Sequence, residues 1–445
     1  MRLADALRIR SAITVAFTGA GGKSSAIRTL VKELHSEVPV VVTTTTKLAR
    51  SQSDLAHRHL ILGDEELLNG FGKNLDSAKS LLVTKRQVSG ESKWRGLSGD
   101  QLEALRQTCA EAQALLLIEA DGARGKSLKA PAEHEPTIPD GTDLVVPIVG
   151  LDVVGKPFTS EYCHRAERAR ELLSVGDDAA ISPMHIAELL LTDKAGLKGI
   201  PPTAIVRCLL NHARSPTNIE HGRAIAQDLL ESDRYQNVII ADLGGDRPIK
   251  ESVARIAGII LAAGSSTRLE GPKQLMLFRG KALVVRAVEA AIDGGLEPIL
   301  VVVGEQAERM RASLEGYPIQ IIGNPNPNFG QSSSLHIGLG ELDSGVEGAI
   351  FLLADMPLVN GDLVMKLRDR HRQTLAPIVV PYANGKRGNP VLFDRIAFDE
   401  LAKVAGDRGG RILFKKFDRE RVEWDTSIHF DVDTEEDLQH MRELE

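Results

Sequence analysis

Two doubly wound α/β domains, each a parallel sheet with helices on both faces, are predicted for this chain by three observations. Its 445 residues exceed what one core ordinarily supports, because chains longer than roughly 250–300 residues split into domains. Short β-branched runs alternate with amphipathic stretches along the whole length, the pattern that helix-covered parallel sheets produce. Two glycine-rich loops, at Gly19–Gly22 and at Gly264, each follow an apolar strand directly, and strand ends of this kind are where doubly wound folds hold ligands.

In the first half, strands are expected at Ile13–Thr18, Val38–Thr43, His59–Leu62, Leu81–Thr84, Ala114–Glu119, Leu144–Val149, Ala204–Cys208 and Val238–Ala241. The polar, turn-rich stretch Leu243-Gly-Gly-Asp-Arg-Pro-Ile249 follows, so the junction is placed near Gly245 to Ser252, giving domains 1–245 and 253–445. The second half places strands at Ile256–Leu261, Pro298–Val303, Ile319–Ile322, Gly348–Leu353, Ile378–Pro381 and Asn389–Phe393.

Composition narrows the partners. Hydrophobic residues make up 42% of the chain and charged ones 26%, as in ordinary globular proteins. The net charge of −7, without any block of Lys and Arg, argues against nucleic acid. Apolar runs such as Ile299–Val303 are too short to span a membrane and no signal-peptide core is present, so a cytoplasmic location is expected. Cys109, Cys163 and Cys208 are widely separated and form no C-x-x-C pair, which suits reduced structural thiols.

The second loop reads Leu261-Ala262-Ala263-Gly264-Ser-Ser-Thr-Arg268, followed by Gly271-Pro-Lys273. Small residues let backbone N–H groups approach phosphate oxygens, and Arg268 and Lys273 supply the charge that a triphosphate requires. A later apolar strand ends in Ala354-Asp355-Met-Pro357, placing a carboxylate where a ligand would sit. Mg²⁺ prefers oxygen ligands of this kind together with phosphates. Asp433, before the helix that Thr434 is expected to cap, is a candidate second metal ligand, although a lone acid in a turn is more often simply solvated.

These residues, with Gly330-Gln-Ser-Ser333-Ser334-Leu335, Gly388-Asn-Pro-Val-Leu-Phe393, Gly406-Asp-Arg-Gly-Gly-Arg411 and Asp431-Val-Asp-Thr434, resemble the MobA-like nucleotidyltransferases, most closely the molybdenum cofactor cytidylyltransferases. The resemblance implies a Rossmann-like domain in which Leu261, Ala262, Ala263 and Gly264 line the nucleotide and Ser333 and Ser334 lie near its base. It further implies that Arg268 and Lys273 hold phosphates and that Asp355 and Asp433 hold Mg²⁺. Ala263, where the guanylyl-transferring branch has glycine, and Pro272, where it has Asp, favour CTP. The implied acceptor is molybdopterin carrying molybdenum, with Gly388 to Pro390 and Asp407 to Arg411 on the pterin side. Arg387, Arg408 and Arg411 by themselves indicate only an anionic acceptor or a solvated surface.

The first loop, Phe17-Thr-Gly19-Ala-Gly21-Gly22-Lys23-Ser24-Ser25, opens a helix at Lys23. A glycine-rich turn before Gly-Lys-Ser wraps backbone amides and a lysine round phosphates, with the Ser24 hydroxyl on Mg²⁺. The full Walker spacing wants glycine where Phe17 stands, so this is a shorter P-loop-like form. Glu119-Ala-Asp121, at the end of a later strand, offers a second acidic arm. A second nucleotide, ATP or GTP, is therefore expected on Gly22, Lys23 and Ser24.

With Thr43 to Lys47, Glu119-Ala-Asp-Gly-Ala-Arg124, Lys129-Ala-Pro-Ala-Glu-His-Glu135 and Ser182-Pro183, this half resembles the YqeC-like proteins, accessory factors for selenium-dependent molybdenum hydroxylases. The resemblance implies a hydroxylase client. The expected whole is a cytidylyltransferase fused to a nucleotide-binding accessory domain. Its rivals are a guanylyl- or sugar-phosphate nucleotidyltransferase and a nucleotide-gated metallochaperone or insertion factor.

Overall fold

A computed structural model describes residues 1–63, 80–87, 93–264, 269, 271–304 and 306–445. The chain forms two compact units, Met1–Val253 and Ala254–Glu445.

The first unit is built on eight strands: β1 (Thr14–Gly19), β2 (Val40–Thr44), β3 (Arg58–Leu62), β4 (Ser80–Lys85), β5 (Leu115–Glu119), β6 (Leu144–Gly150), β7 (Ile205–Asn211) and β8 (Tyr235–Ala241). They lie in the order β8-β7-β6-β1-β5-β2-β4-β3, and the ladders joining them are parallel. β1 is central because the chain first builds outward on one side of it and then returns to build on the other. The ends of β1, β5 and β6 therefore converge where a doubly wound sheet binds its ligand.

Both faces of this sheet are buried, which is why its strands read as continuous apolar runs. One core packs Val149, Cys208 and Ile240 against the helices Pro183–Leu191 and Pro216–Leu230. The other packs Val41, Val83 and Ile118 against Leu102 and Leu105 of the helix Gly99–Glu111. Ser182 and Ser215 cap the two former helices by accepting from the backbone N–H groups of His185 and Asn218, each with Pro at the first helical position.

The second unit contains the part of β9 (Ile249–Ala262) from Ala254 onward, with β10 (Ile299–Val303), β11 (Gln320–Gly323), β12 (Val346–Leu353), β13 (Ile378–Ala383), β14 (Val391–Asp394) and β15 (Arg419–Glu423). The pairing order is β15-β13-β14-β12-β9-β10-β11. Along β10 the side chains alternate between two cores, with Ile299, Val301 and Val303 on one face and Leu300 and Val302 on the other.

Two features depart from the sequence pattern. β14 runs antiparallel to both β12 and β13, so this sheet is mixed where an all-parallel one was expected. A short connection from β13 allows the chain to turn straight back, and no crossover helix is needed. β9 also begins at Ile249, within the stretch read as the junction, and its residues to Val253 fall in the first unit. There Glu251 and Ser252 are buried; Glu251 pairs with Arg223, and the Ser252 hydroxyl accepts from Asn237 at 2.7 Å. Those polar partners are what let a segment with polar side chains be strand.

Candidate active sites

In the second unit, β9 delivers Leu261, Ala262, Ala263 and Gly264 to the mouth of the sheet. The loop beyond Gly264 includes Arg268, which lies outside the described residues. The chain returns through Lys273–Leu275, fixed by Gln274, whose buried side-chain amide donates to the Gly264 carbonyl at 2.8 Å. This bond ties the residue after Lys273 to Gly264.

The Lys273 ammonium lies 2.5 Å from Asp355 Oδ2 and 2.5 Å from Asp433 Oδ1. Asp355 follows β12, and the Val432 N–H donates to its backbone carbonyl at 3.0 Å. That bond brings in Asp433, whose neighbour Thr434 caps the helix Glu435–Glu443. Burial works against the charged lysine, yet the two carboxylates raise its pKa above the ordinary value. Asp431 is pushed upward, first by burial and then by repulsion from Asp433 and Asp355. Three carboxylates thus crowd one ammonium, an excess of negative charge that a divalent cation would relieve. Asp355 Oδ1 is moreover buried without a hydrogen-bond partner among the described residues, an oxygen available to such a cation.

Ser333 and Ser334 sit in the first turn of the helix Gln331–Gly340. Their hydroxyls accept from Asn324 Nδ2 at 2.8 and 2.9 Å, and Asn324 N bonds the end of β10 at the Val303 carbonyl. Asn324 therefore orients both serines, a role that its Asn-Pro-Asn context did not reveal. Nearby, a cavity of about 200 Å³ is lined by Met356, Arg387, Asn389, Arg411, His429 and Asp431. Arg387 and Arg411, 24 positions apart, are brought together there.

In the first unit, Gly19, Gly21 and Gly22 all have positive φ, at 83°, 90° and 141°. A Cβ on Gly19 would stand 2.4 Å from the Ile148 carbonyl oxygen, and one on Gly21 would stand 2.4 Å from Gly150 N. The loop is glycine because the end of β6 is packed against it. Phe17, at the position that breaks the longer loop spacing, is a fully buried residue of β1.

Lys23 is 5% exposed; its ammonium lies 3.0 Å from Asp121 Oδ1 and donates to the Gly19 carbonyl. Lys129 bridges Asp121 Oδ2 at 2.8 Å and Glu135 at 2.7 Å, and Arg165 reaches Glu135 at 2.9 Å. Burial would raise the Glu135 pKa, but its bonds to Lys129 and Arg165 bring it down to about 2. Ser24 Oγ donates to Glu119 Oε2 at 3.3 Å, and burial raises Glu119.

Lys23, Ser24, Glu119, Glu135 and Arg165 edge a cavity of about 710 Å³ that is also lined by Lys47, Lys93, Arg124 and Lys126. Its strongly cationic wall suits a phosphorylated ligand. The three cysteines are free and buried, and burial pushes the Cys109 and Cys163 thiols up to about 12. His134 is exposed. Among the described residues, no helix is long and apolar enough to cross a membrane.

Residues 15–167 match the family described as YqeC protein, and residues 258–422 match the MobA-like NTP transferase domain. Over 244 residues the chain is 28% identical to the uncharacterized protein YqeC of Escherichia coli (strain K12), covering 54% of this chain and 90% of that protein. Over 172 residues it is 30% identical to the nicotine blue oxidoreductase of Paenarthrobacter nicotinovorans, covering 36% of this chain and 82% of that one. The crystal structure of Rv0371c from Mycobacterium tuberculosis H37Rv aligns with a TM-score of 0.39 and 26% identity, over 42% of this chain and 98% of that one.

Proposed function

The chain belongs at its N-terminal end to the YqeC family and at its C-terminal end to the MobA-like NTP transferases, and on that premise we propose that its nucleotidyltransferase unit transfers CMP from CTP to molybdopterin carrying molybdenum. The observation that carries this reading is the meeting of Asp355 and Asp433 on the Lys273 ammonium, next to the Gln274 that bonds Gly264.

A phosphate oxygen of the acceptor attacks the α-phosphorus in line, the bond from that phosphorus to the bridging oxygen breaks, and pyrophosphate leaves. An ionised phosphate nucleophile needs no general base, so the site must align two anions and neutralise developing charge. Lys273 and Arg268 offer cations to the phosphates. Asp355 and Asp433 would hold a divalent cation, Mg²⁺ by the preference of the oxygen ligands, which when bound neutralises phosphate charge. Ser333 and Ser334, oriented by Asn324, face the base, and Ala263 and Pro272 favour cytidine over guanosine. Arg387 and Arg411 receive the anionic acceptor in the neighbouring cavity.

In the same reading the first unit binds a purine nucleoside triphosphate on Gly22, Lys23 and Ser24 and serves a molybdenum hydroxylase client. Release of pyrophosphate from CTP and from GTP, with and without molybdenum-loaded molybdopterin, tests the central claim. Acceptor-dependent release from CTP is expected; equal rates with GTP, or no dependence on the acceptor, would sink it.

A further inference from the structure

We propose that the first unit holds a second active site, in which His212, oriented by Asp152, takes the proton from a water attacking the γ-phosphorus of a nucleoside triphosphate. This rests on the reading of Gly22, Lys23 and Ser24 as a nucleotide site, and it adds a reaction to what was only binding.

The residues reach one place through the ends of three strands. Asn211, the last residue of β7, donates from Nδ2 to the Gly21 carbonyl at 2.7 Å, and its Oδ1 accepts from Leu243 N at 3.0 Å. The next residue, His212, is held in the left-handed region at φ 62°, a conformation uncommon for a residue with a side chain and concentrated at functional sites. His212 lines the same cavity as Gly22, Lys23 and Ser24. Its Nδ1 lies 2.7 Å from Asp152 Oδ1, while Ser127 Oγ, at 3.5 Å from that nitrogen, is too distant to compete.

Gly150 lies under this pair. A Cβ there would stand 2.6 Å from His212 Nδ1 and 2.7 Å from Asp152 Oδ1, so the imidazole and carboxylate occupy the space a side chain would fill. The same Gly150 touches Gly21. One glycine contact therefore joins the phosphate loop to the His212–Asp152 pair.

The chemistry follows from which atoms carry protons. Although burial works against it, the hydrogen bond from His212 holds the Asp152 carboxyl below its ordinary range. An ionised carboxylate only accepts, so Nδ1 carries the hydrogen, and in the neutral imidazole Nε2 is then the nitrogen with the lone pair. A base is useful only to a nucleophile that must lose a proton, which singles out water or another hydroxyl over a phosphate or carboxylate. The water oxygen bonds to the γ-phosphorus, and the bond from that phosphorus to the β–γ bridging oxygen breaks. The proton passes to Nε2, and nucleoside diphosphate and inorganic phosphate leave. Glu119, bonded to the Ser24 hydroxyl, stands on the side expected for a cation and is the competing candidate for the base.

The test uses the full chain carrying Lys273→Ala, so that the second unit does not consume nucleotide, with ATP and Mg²⁺. ADP and inorganic phosphate should form in equal amounts. His212→Asn, chosen because Asn tolerates positive φ, should slow this by roughly 10²-fold or more with ATP affinity within about twofold and an unchanged melting temperature. Asp152→Asn should lower kcat with little change in KM and alter the pH–rate profile, as loss of an orienting carboxylate does. Wild-type turnover by His212→Asn, with loss in Glu119→Gln, overturns the assignment and gives the base to Glu119. ATP bound through Lys23 but never hydrolysed overturns the reaction and leaves the nucleotide site standing. Absence of ATP binding, unchanged by Lys23→Ala, removes both.

Discussion

Lys273 and Asp433 are separated by 160 positions in the chain, yet their charged atoms lie 2.5 Å apart. Asp355 completes the trio, with Oδ2 2.5 Å from the same ammonium. Removing the lysine leaves two carboxylates facing each other and takes away a cation aimed at the phosphates. Lys273→Ala should therefore lower pyrophosphate release by roughly 10²–10³-fold in a protein that still folds. A folded variant with the wild-type rate would remove Lys273 from the site.

Asp355 has one oxygen on Lys273 and one without a partner among the described residues. Asp355→Asn keeps the shape but removes the negative charge and leaves one neutral oxygen in place of two anionic ones. The Mg²⁺ concentration giving half-maximal rate should rise by roughly tenfold or more, and Asp433→Asn should act in the same direction. Metal titrations of the two variants check this, and an unshifted midpoint for Asp433→Asn would make it a turn residue only.

Glu135 couples Lys129 to Arg165, and its folded pKa is about 2 against an ordinary 4.5. A carboxylate depressed by folding contributes stability above its unfolded pKa and loses it as pH falls through the folded one. That contribution should be fully present above pH ~4.5 and disappear toward pH ~2. Glu135→Gln should have a lower melting temperature at neutral pH and lose less of it across this window than the wild type. Parallel melting curves for the two proteins would mean that the ion pairs do not form in solution.

Gly21 combines φ of 90° with a Cβ position 2.4 Å from Gly150 N. Gly21→Ala should therefore cost about 1–3 kcal/mol and weaken ATP binding as the loop is pushed from β6. Gly125, also at positive φ but with nothing near its Cβ position, is the control: Gly125→Ala carries the backbone strain without the collision. Chemical denaturation and ATP titration of both variants separate the two effects, and equal losses would show that the contact with Gly150 is unimportant.

The sequence by itself determined the alternation of strand and helix, because apolar runs buried on both faces leave a continuous signature that survives without knowing the neighbours. It also marked the glycine loops, Lys23, Lys273 and Asp355, since each sits at a strand end or within a short motif whose chemistry is local. It did not disclose that β14 would run backwards, because an antiparallel strand buried on both sides carries the same apolar pattern as a parallel one. Nor did it show that Ile249–Ser252 would be strand, for the polarity of Glu251 and Ser252 is satisfied by Arg223 and Asn237, residues distant in the chain. Asn211, Asn324 and the His212–Asp152 pair had no local signal at all. Their positions follow from which strand ends the sheet order brings together. That order is a property of packing between distant segments, and only the tertiary structure decided it.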